Sequence, residues 1–245
     1  MSVSPLERRR LIFVTGKGCF GKTEISMAWA RALAAAGRET LWIEIENPAR
    51  PAGELKNLGP NLLSLNCEAG VAFEEYMALK IKVSVVAKLF ARNPLIQYLS
   101  QASPGIHELV ILGKIWDSVP KFDHVVVDAP ATGHALALFH ATRNFARLFE
   151  GGPIHRDAEA MLATFGDSRQ TGIVIAALPE EMPLVESLEL SAKLAKLFPE
   201  NPASFVLNRC FDTECYASPS SQDSIPERKS KTAIAESDLD YIQAR

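Results

Sequence analysis

Gly16-Lys17-Gly18-Cys19-Phe20-Gly21-Lys22-Thr23 lies between an apolar run, Leu11–Thr15 (LIFVT), and an Ala-rich segment, Glu24–Ala36, that stops at Gly37. The apolar run has the character of a strand buried on both faces. The Ala-rich segment has that of a helix with its C-terminal stop signal. Between them the spacing G-x-x-x-x-G-K-S/T predicts a loop whose successive backbone N–H groups wrap a phosphate at a helix N-terminus. In such a loop Lys22 reaches the β- and γ-phosphates, and the Thr23 hydroxyl ligates Mg²⁺. The expected nucleotide-binding stretch is therefore Gly16, Lys17, Gly18, Cys19, Phe20, Gly21, Lys22 and Thr23 with the adjoining Glu24, and the expected ligands are ATP and Mg²⁺.

Outward from the loop, further strands are expected at Thr40–Glu46 (TLWIEIE), Asn61–Cys67 (NLLSLNC), Phe122–Val127 (FDHVVV), Thr171–Leu178 (TGIVIAAL) and Ser204–Asn208 (SFVLN). Asn61–Cys67 reads as a short strand near an edge. Helices are expected across Val71–Ser100 with a break at Pro94, from Pro104-Gly105 to about Trp116, and over Thr132–Leu148, Pro153–Phe165 and Met182–Phe198. Strands alternating with helices give a mostly parallel sheet with right-handed crossovers and helices on both faces, the three-layer α/β architecture of P-loop NTPases. One domain is expected over residues 1–210, with a helical insertion at about 68–117. The polar stretch 211–245 carries no strand pattern and reads as a loosely docked or poorly ordered arm.

Composition narrows the class. The chain has 245 residues, 47% hydrophobic and 22% charged, long enough to bury a full sheet between helices. A net charge of −3 lacks the basic excess of a broad nucleic-acid surface. No apolar run reaches the roughly 18 residues of a membrane-spanning helix, and MSVSPLERRR is not followed by a signal peptide's apolar core. Cys19, Cys67, Cys210 and Cys215 are scattered, and the C-x4-C pair has no second pair or suitably spaced His, so reduced thiols in the cytoplasm are expected instead of zinc ligands.

Two features carry a family resemblance. Lys17 makes the loop G-K-G-x-x-G-K-T, which resembles the deviant Walker A loop. Asp128 closes the strand FDHVVV, a position from which a carboxylate holds a Mg²⁺ shell through water. It opens Asp128-Ala129-Pro130-Ala131-Thr132-Gly133-His134, and this string resembles the switch II segment of the ArsA-type anion-transporting ATPases. Leu178-Pro179-Glu180-Glu181-Met182-Pro183 before a helix with Glu186, and Ala102–Leu109 (ASPGIHEL), agree with it. The similarity covers about residues 10–208 and is nearest the bacterial ArsA-like members. It implies a homodimer in which Lys17 crosses onto the partner's ATP. It also implies that Pro130, Thr132, Gly133 and His134 sense the γ-phosphate, and that Asn208 contacts adenine through its amide. A client, an anion or a protein, is implied but not identified.

The sequence departs from the family at switch I. The family has D-P-A-H; this chain reads Glu44-Ile45-Glu46-Asn47-Pro48-Ala49-Arg50, so Asn47 takes the place of the water-positioning Asp and Arg50 that of the His. An amide orients water but cannot accept its proton, so hydrolysis is expected to be slow unless Glu46 serves by a one-residue shift. Lys17, Lys22, Glu46, Asn47 and Asp128 form the expected catalytic set, with Thr23 and Asp128 on the metal. Cys19 and Phe20 replace the family's Gly-Val; a left-handed backbone at residue 19 would cost about 1–2 kcal/mol, and Phe20 is expected to pack on the following helix. Ile81–Leu99 is apolar at helical spacings and reads as core packing ahead of a client groove. The alternative function is a hydrolysis-deficient nucleotide-binding scaffold. A ParA/MinD-like positioning ATPase is disfavoured by the lack of a basic amphipathic C-terminal helix. A P-loop kinase would leave Lys17 without a role.

Overall fold

In the computed structural model, residues 5–80, 105–148, 151–210 and 233–234 are described. Their strands form one eight-stranded sheet in the order β3-β4-β2-β5-β1-β6-β7-β8. The strands are β1 (Leu11–Gly16), β2 (Thr40–Ile45), β3 (Leu55–Gly59), β4 (Leu62–Cys67), β5 (His124–Ala131), β6 (Thr171–Ala177), β7 (Ser204–Leu207) and β8 (Ala233–Ile234). The six from β4 to β7 run parallel, and the outermost pairs β3–β4 and β7–β8 are antiparallel. The helices among the described residues are α1 (Lys22–Ala35), α2 (Ala69–Lys80), α3 (Ile106–Ser118), α4 (Thr132–Leu148), α5 (Gly152–Gly166) and α6 (Glu181–Leu197).

Every residue of β1 and β6 is buried because both sheet faces are covered. Side chains alternate between the faces. Leu11, Phe13, Leu41, Ile43, Val125 and Val127 meet residues of α2 to α6, while Ile12, Val14, Trp42 and Val126 meet Ile25 and Leu33 of α1. Edge-to-face contacts of Phe139 with Phe13 (centroids 5.1 Å apart) and Phe198 (5.3 Å) pin α4 between the sheet and the end of α6. On the other face the Trp42 indole N–H donates to Ser26 Oγ at 3.0 Å, fixing α1 against β2.

The strand at Asn61–Cys67 lies near an edge as expected, one place in; the edge itself is β3, whose polar and exposed LKNLG gives no buried-strand pattern. Two local expectations change. The strand expected to close at Asp128 continues to Ala131, because β1 supplies a partner as far as Gly16↔Ala131. After residue 210, where no strand was expected, Ala233–Ile234 pairs with Val206–Leu207 and covers the β7 edge. The apolar stretch Ile81–Leu99 lies outside the described residues.

β1 is central. The chain leaves it through α1 towards β2 on one side and reaches β6 on the other, so β1 stands at the point where the strand order reverses. In open α/β sheets ligands bind at the carboxyl ends of the strands at such a point.

Candidate nucleotide site

The phosphate loop joins the end of β1 to α1. Gly16 has φ +142°, and a Cβ there would lie 2.4 Å from the Ala176 carbonyl oxygen of β6. The loop therefore starts where two neighbouring strands leave no room for a side chain. Gly16→Ala is expected to cost about 1–3 kcal/mol, read as a thermal midpoint lower by several degrees; an unchanged midpoint would mean β1 and β6 separate freely at this end. Cys19 is exposed with φ +67°, in the left-handed conformation, so the loop carries its Cβ strain. Phe20 is 6% exposed and joins the cluster that includes Ile25 of α1, as expected. Gly21, at φ +84°, precedes α1.

Thr23, in the first turn of α1, donates its hydroxyl to Asp128 Oδ2 at 2.6 Å. The other carboxylate oxygen, Asp128 Oδ1, is buried without a hydrogen-bond partner among the described residues. Burial pushes the Asp128 carboxyl above the usual carboxylate range, while the Thr23 hydroxyl and then the Lys22 ammonium pull it back. An unsatisfied carboxylate oxygen beside a threonine hydroxyl, at a helix N-terminus, suits a hydrated Mg²⁺. Thr23 would be the direct ligand and Asp128 would hold its water. No group of three or more His, Cys, Asp or Glu among the described residues could hold a metal, so the remaining ligands would have to be phosphate oxygens and water. Lys22 Nζ donates to the Lys17 carbonyl at 3.3 Å, folded back over the loop. Lys17 points elsewhere: its ammonium lies 2.5 Å from Glu186 Oε1 of α6, half-exposed. Thr15 donates to the Pro130 carbonyl at 3.1 Å and ties the end of β5 to β1, whereas Gly133 and His134 are exposed.

Glu44 is a member of the site that sequence reading passed over. It is 5% exposed, stands opposite Asp128 in the β2–β5 register, and shares the α1 face with Trp42 two residues earlier. Its Oε1 accepts from Asn47 Nδ2 at 2.8 Å, and its Oε2 lies 2.7 Å from Arg50 Nε. The signal was present: an acidic residue inside TLWIEI, a strand that needs apolar residues on both faces. Asn66 of β4 completes the arrangement. Its side chain accepts the Asn47 N–H and donates to the carbonyls of Asn47 and Arg50, each at 2.9 Å. Asn47 Oδ1 in turn accepts the Ala49 N–H at 3.0 Å. Asn47 is thus held at both ends of its amide. Glu46, with φ +52°, turns outward and pairs with His107 Nε2 of α3 at 2.6 Å.

Asn208, at the end of β7, donates from Nδ2 to the Phe20 carbonyl at 3.0 Å. Structure therefore brings Thr23, Asp128, Glu44 and Lys22 together at one end of the sheet, adds Asn208 to the loop, and points Lys17 and Glu46 to other partners.

The family model for anion-transporting ATPases matches residues 9–152. Among curated proteins, the ATPase BagA of Mycobacterium tuberculosis is 31% identical over 98% of this chain and 74% of its own length. That alignment reaches past residue 208, where the resemblance was expected to end. The arsenical pump-driving ATPase of Acidiphilium multivorum is 26% identical over 58% of this chain and 27% of its own length. The protein of that name from Escherichia coli is 25% identical over the same shares.

Proposed function

This chain belongs to the ArsA-type anion-transporting ATPase family, and from that premise we propose that it binds ATP with Mg²⁺ and works as a nucleotide-gated homodimer in the cytoplasm. The observation that carries the reading is the Thr23–Asp128 contact at 2.6 Å with Asp128 Oδ1 left buried and unpartnered. Bound Mg²⁺ would neutralise phosphate charge there. Lys22 would leave the neutral Lys17 carbonyl for the phosphates, a stronger, charge-assisted partner. ATP would change the dimer interface through Lys17, and hydrolysis or exchange would reverse it. The client is an anion or a protein; the arsenical pump-driving relatives favour an anion. No helix of the described residues is long and apolar enough to cross a membrane.

Hydrolysis is proposed to be weak. Asn47 cannot take a proton from water, and its amide is already committed to Glu44 and the Ala49 N–H. The same observation favours the second reading, a nucleotide-binding scaffold of this fold without turnover.

For Lys17 to act on a partner's nucleotide it must leave Glu186. Lys17→Ala is therefore expected to retain ATP binding by the monomer and to lose the ATP-induced dimer, as measured by sedimentation velocity with and without Mg²⁺-ATP. A wild-type protein whose sedimentation ignores ATP would remove the gated-dimer reading and leave the nucleotide site standing.

A further inference from the structure

Arg50, in the turn after β2, is fixed at its backbone and at its head. Its N–H donates to the Asn47 carbonyl at 3.2 Å, and its carbonyl accepts from the buried Asn66 Nδ2 at 2.9 Å. The guanidinium carbon lies 5.2 Å from the centroid of the buried Trp42 ring, within cation–π range. Nε is 2.7 Å from Glu44 Oε2. Because Glu44 Oε1 is taken by Asn47 Nδ2, Glu44 meets the arginine through a single oxygen. A guanidinium carries five N–H donors in a planar fork. The Nη donors of Arg50 have no hydrogen-bond partner among the described residues, and the side chain is 36% exposed.

That head belongs to the carboxyl end of the sheet. Glu44 is the register neighbour of Asp128 on β5, and Asp128 accepts from the Thr23 hydroxyl at 2.6 Å. The acid that holds Arg50 therefore stands beside the acid assigned above to the Mg²⁺ shell. A phosphate loop alone discriminates poorly between triphosphate and diphosphate. Its backbone N–H groups cradle the α- and β-phosphates, and its lysine reaches β as well as γ. Lys17 is held by Glu186, and the Asn47 amide by Glu44 and the Ala49 N–H. Arg50 brings donors that no described residue engages, on a fork already oriented by a ring and a carboxylate. Such a fork suits the oxygens of a phosphate.

We propose that Arg50 is a specificity-determining residue, donating from its Nη groups to the terminal phosphate of a nucleoside triphosphate while Glu44 and Trp42 hold it in place. This rests on the nucleotide reading above and goes beyond it, since it assigns the choice of triphosphate over diphosphate to one side chain.

The test is isothermal titration of wild type and Arg50→Gln with Mg²⁺-ATP and with Mg²⁺-ADP. Loss of a charge-assisted contact to one phosphate is expected to weaken ATP by about 10- to 100-fold. ADP should be nearly unchanged, so the preference for ATP shrinks by the same factor. An arginine that only neutralised Glu44 would act on both nucleotides alike. Equal weakening of the two, or weakening of neither, therefore overturns the proposal. If Arg50→Gln does not fold because Glu44 is left buried without its cation, Glu44→Gln with Arg50→Gln removes both charges. That double variant is compared with Glu44→Gln alone in the same two titrations, and the same outcomes decide. Wild type that binds neither nucleotide overturns the nucleotide reading itself. Wild type that binds both, beside a variant with an unchanged ATP-to-ADP ratio, overturns this inference alone.

Discussion

Lys22→Ala is expected to remove Mg²⁺-ATP binding almost entirely. The ammonium rests on the Lys17 carbonyl at 3.3 Å, within the loop itself. It is the loop lysine whose charge acts on Asp128, whereas Lys17 is held by Glu186. Truncating one partner of a desolvated charge pair costs about 2–5 kcal/mol, which is about 30- to several-thousand-fold in affinity. Because Lys22 is half-exposed here, its removal should leave the thermal midpoint of the ligand-free protein nearly unchanged. Isothermal titration with Mg²⁺-ATP measures the first quantity and calorimetric melting the second. Equal affinity in wild type and variant would mean that the phosphate site is misassigned.

The second large effect concerns switch I. Asn47→Asp alone would seem to return the water-positioning acid, but the structure predicts that it fails. The new carboxylate would face Glu44, whose Oε1 is 2.8 Å from Asn47 Nδ2. Two carboxylates at that distance cannot both ionise, so the pair would hold a proton or push the turn open. The exchanged pair Glu44→Gln with Asn47→Asp keeps one amide and one carboxylate in contact, and leaves Arg50 an acid to bind. Turnover in the double variant is expected to exceed wild type by about 10²-fold or more, the contribution of a positioned base. The single variant should show no gain and a lower melting temperature. Steady-state phosphate release at high protein concentration compares the three. A single variant as fast as the double would show that Glu44 does not govern position 47. Wild-type turnover that Lys22→Ala abolishes would assign the base to another group, with Glu46 the first candidate once it leaves His107.

Much of this protein was legible in its sequence, and the legible part has a common physical basis. Phosphate loop, central strands and most helices depend on residues within a few positions of one another. The run LIFVT needs cover on both faces wherever it folds, and G-x-x-x-x-G-K-T needs only a strand before it and a helix after it. Asp128 was found in the same way, as an acid at the end of an apolar strand. β3 was not, because an exposed edge strand carries no burial pattern and exists only because β4 offers it a hydrogen-bonding edge. β8 escaped for the same reason, a two-residue pairing with β7 that no alternation announces.

The chemistry around that loop was decided by tertiary structure alone. Strand register sets Glu44 opposite Asp128, and the turn geometry brings Asn47 and Arg50 back onto it. Neither follows from the spacing in EIENPAR, which equally allowed Glu46 to face the site. Lys17 meets Glu186 across 169 positions and Phe20 meets Asn208 across 188, contacts made only when β6 pairs with β1 and β7 with β6. Sequence by itself determined that a Gly-rich strand-to-helix loop and an α/β sheet form here, since both are local. Which side chains serve that loop, and which are held away from it, was left to packing, because those partners are distant in sequence and meet only across the assembled sheet.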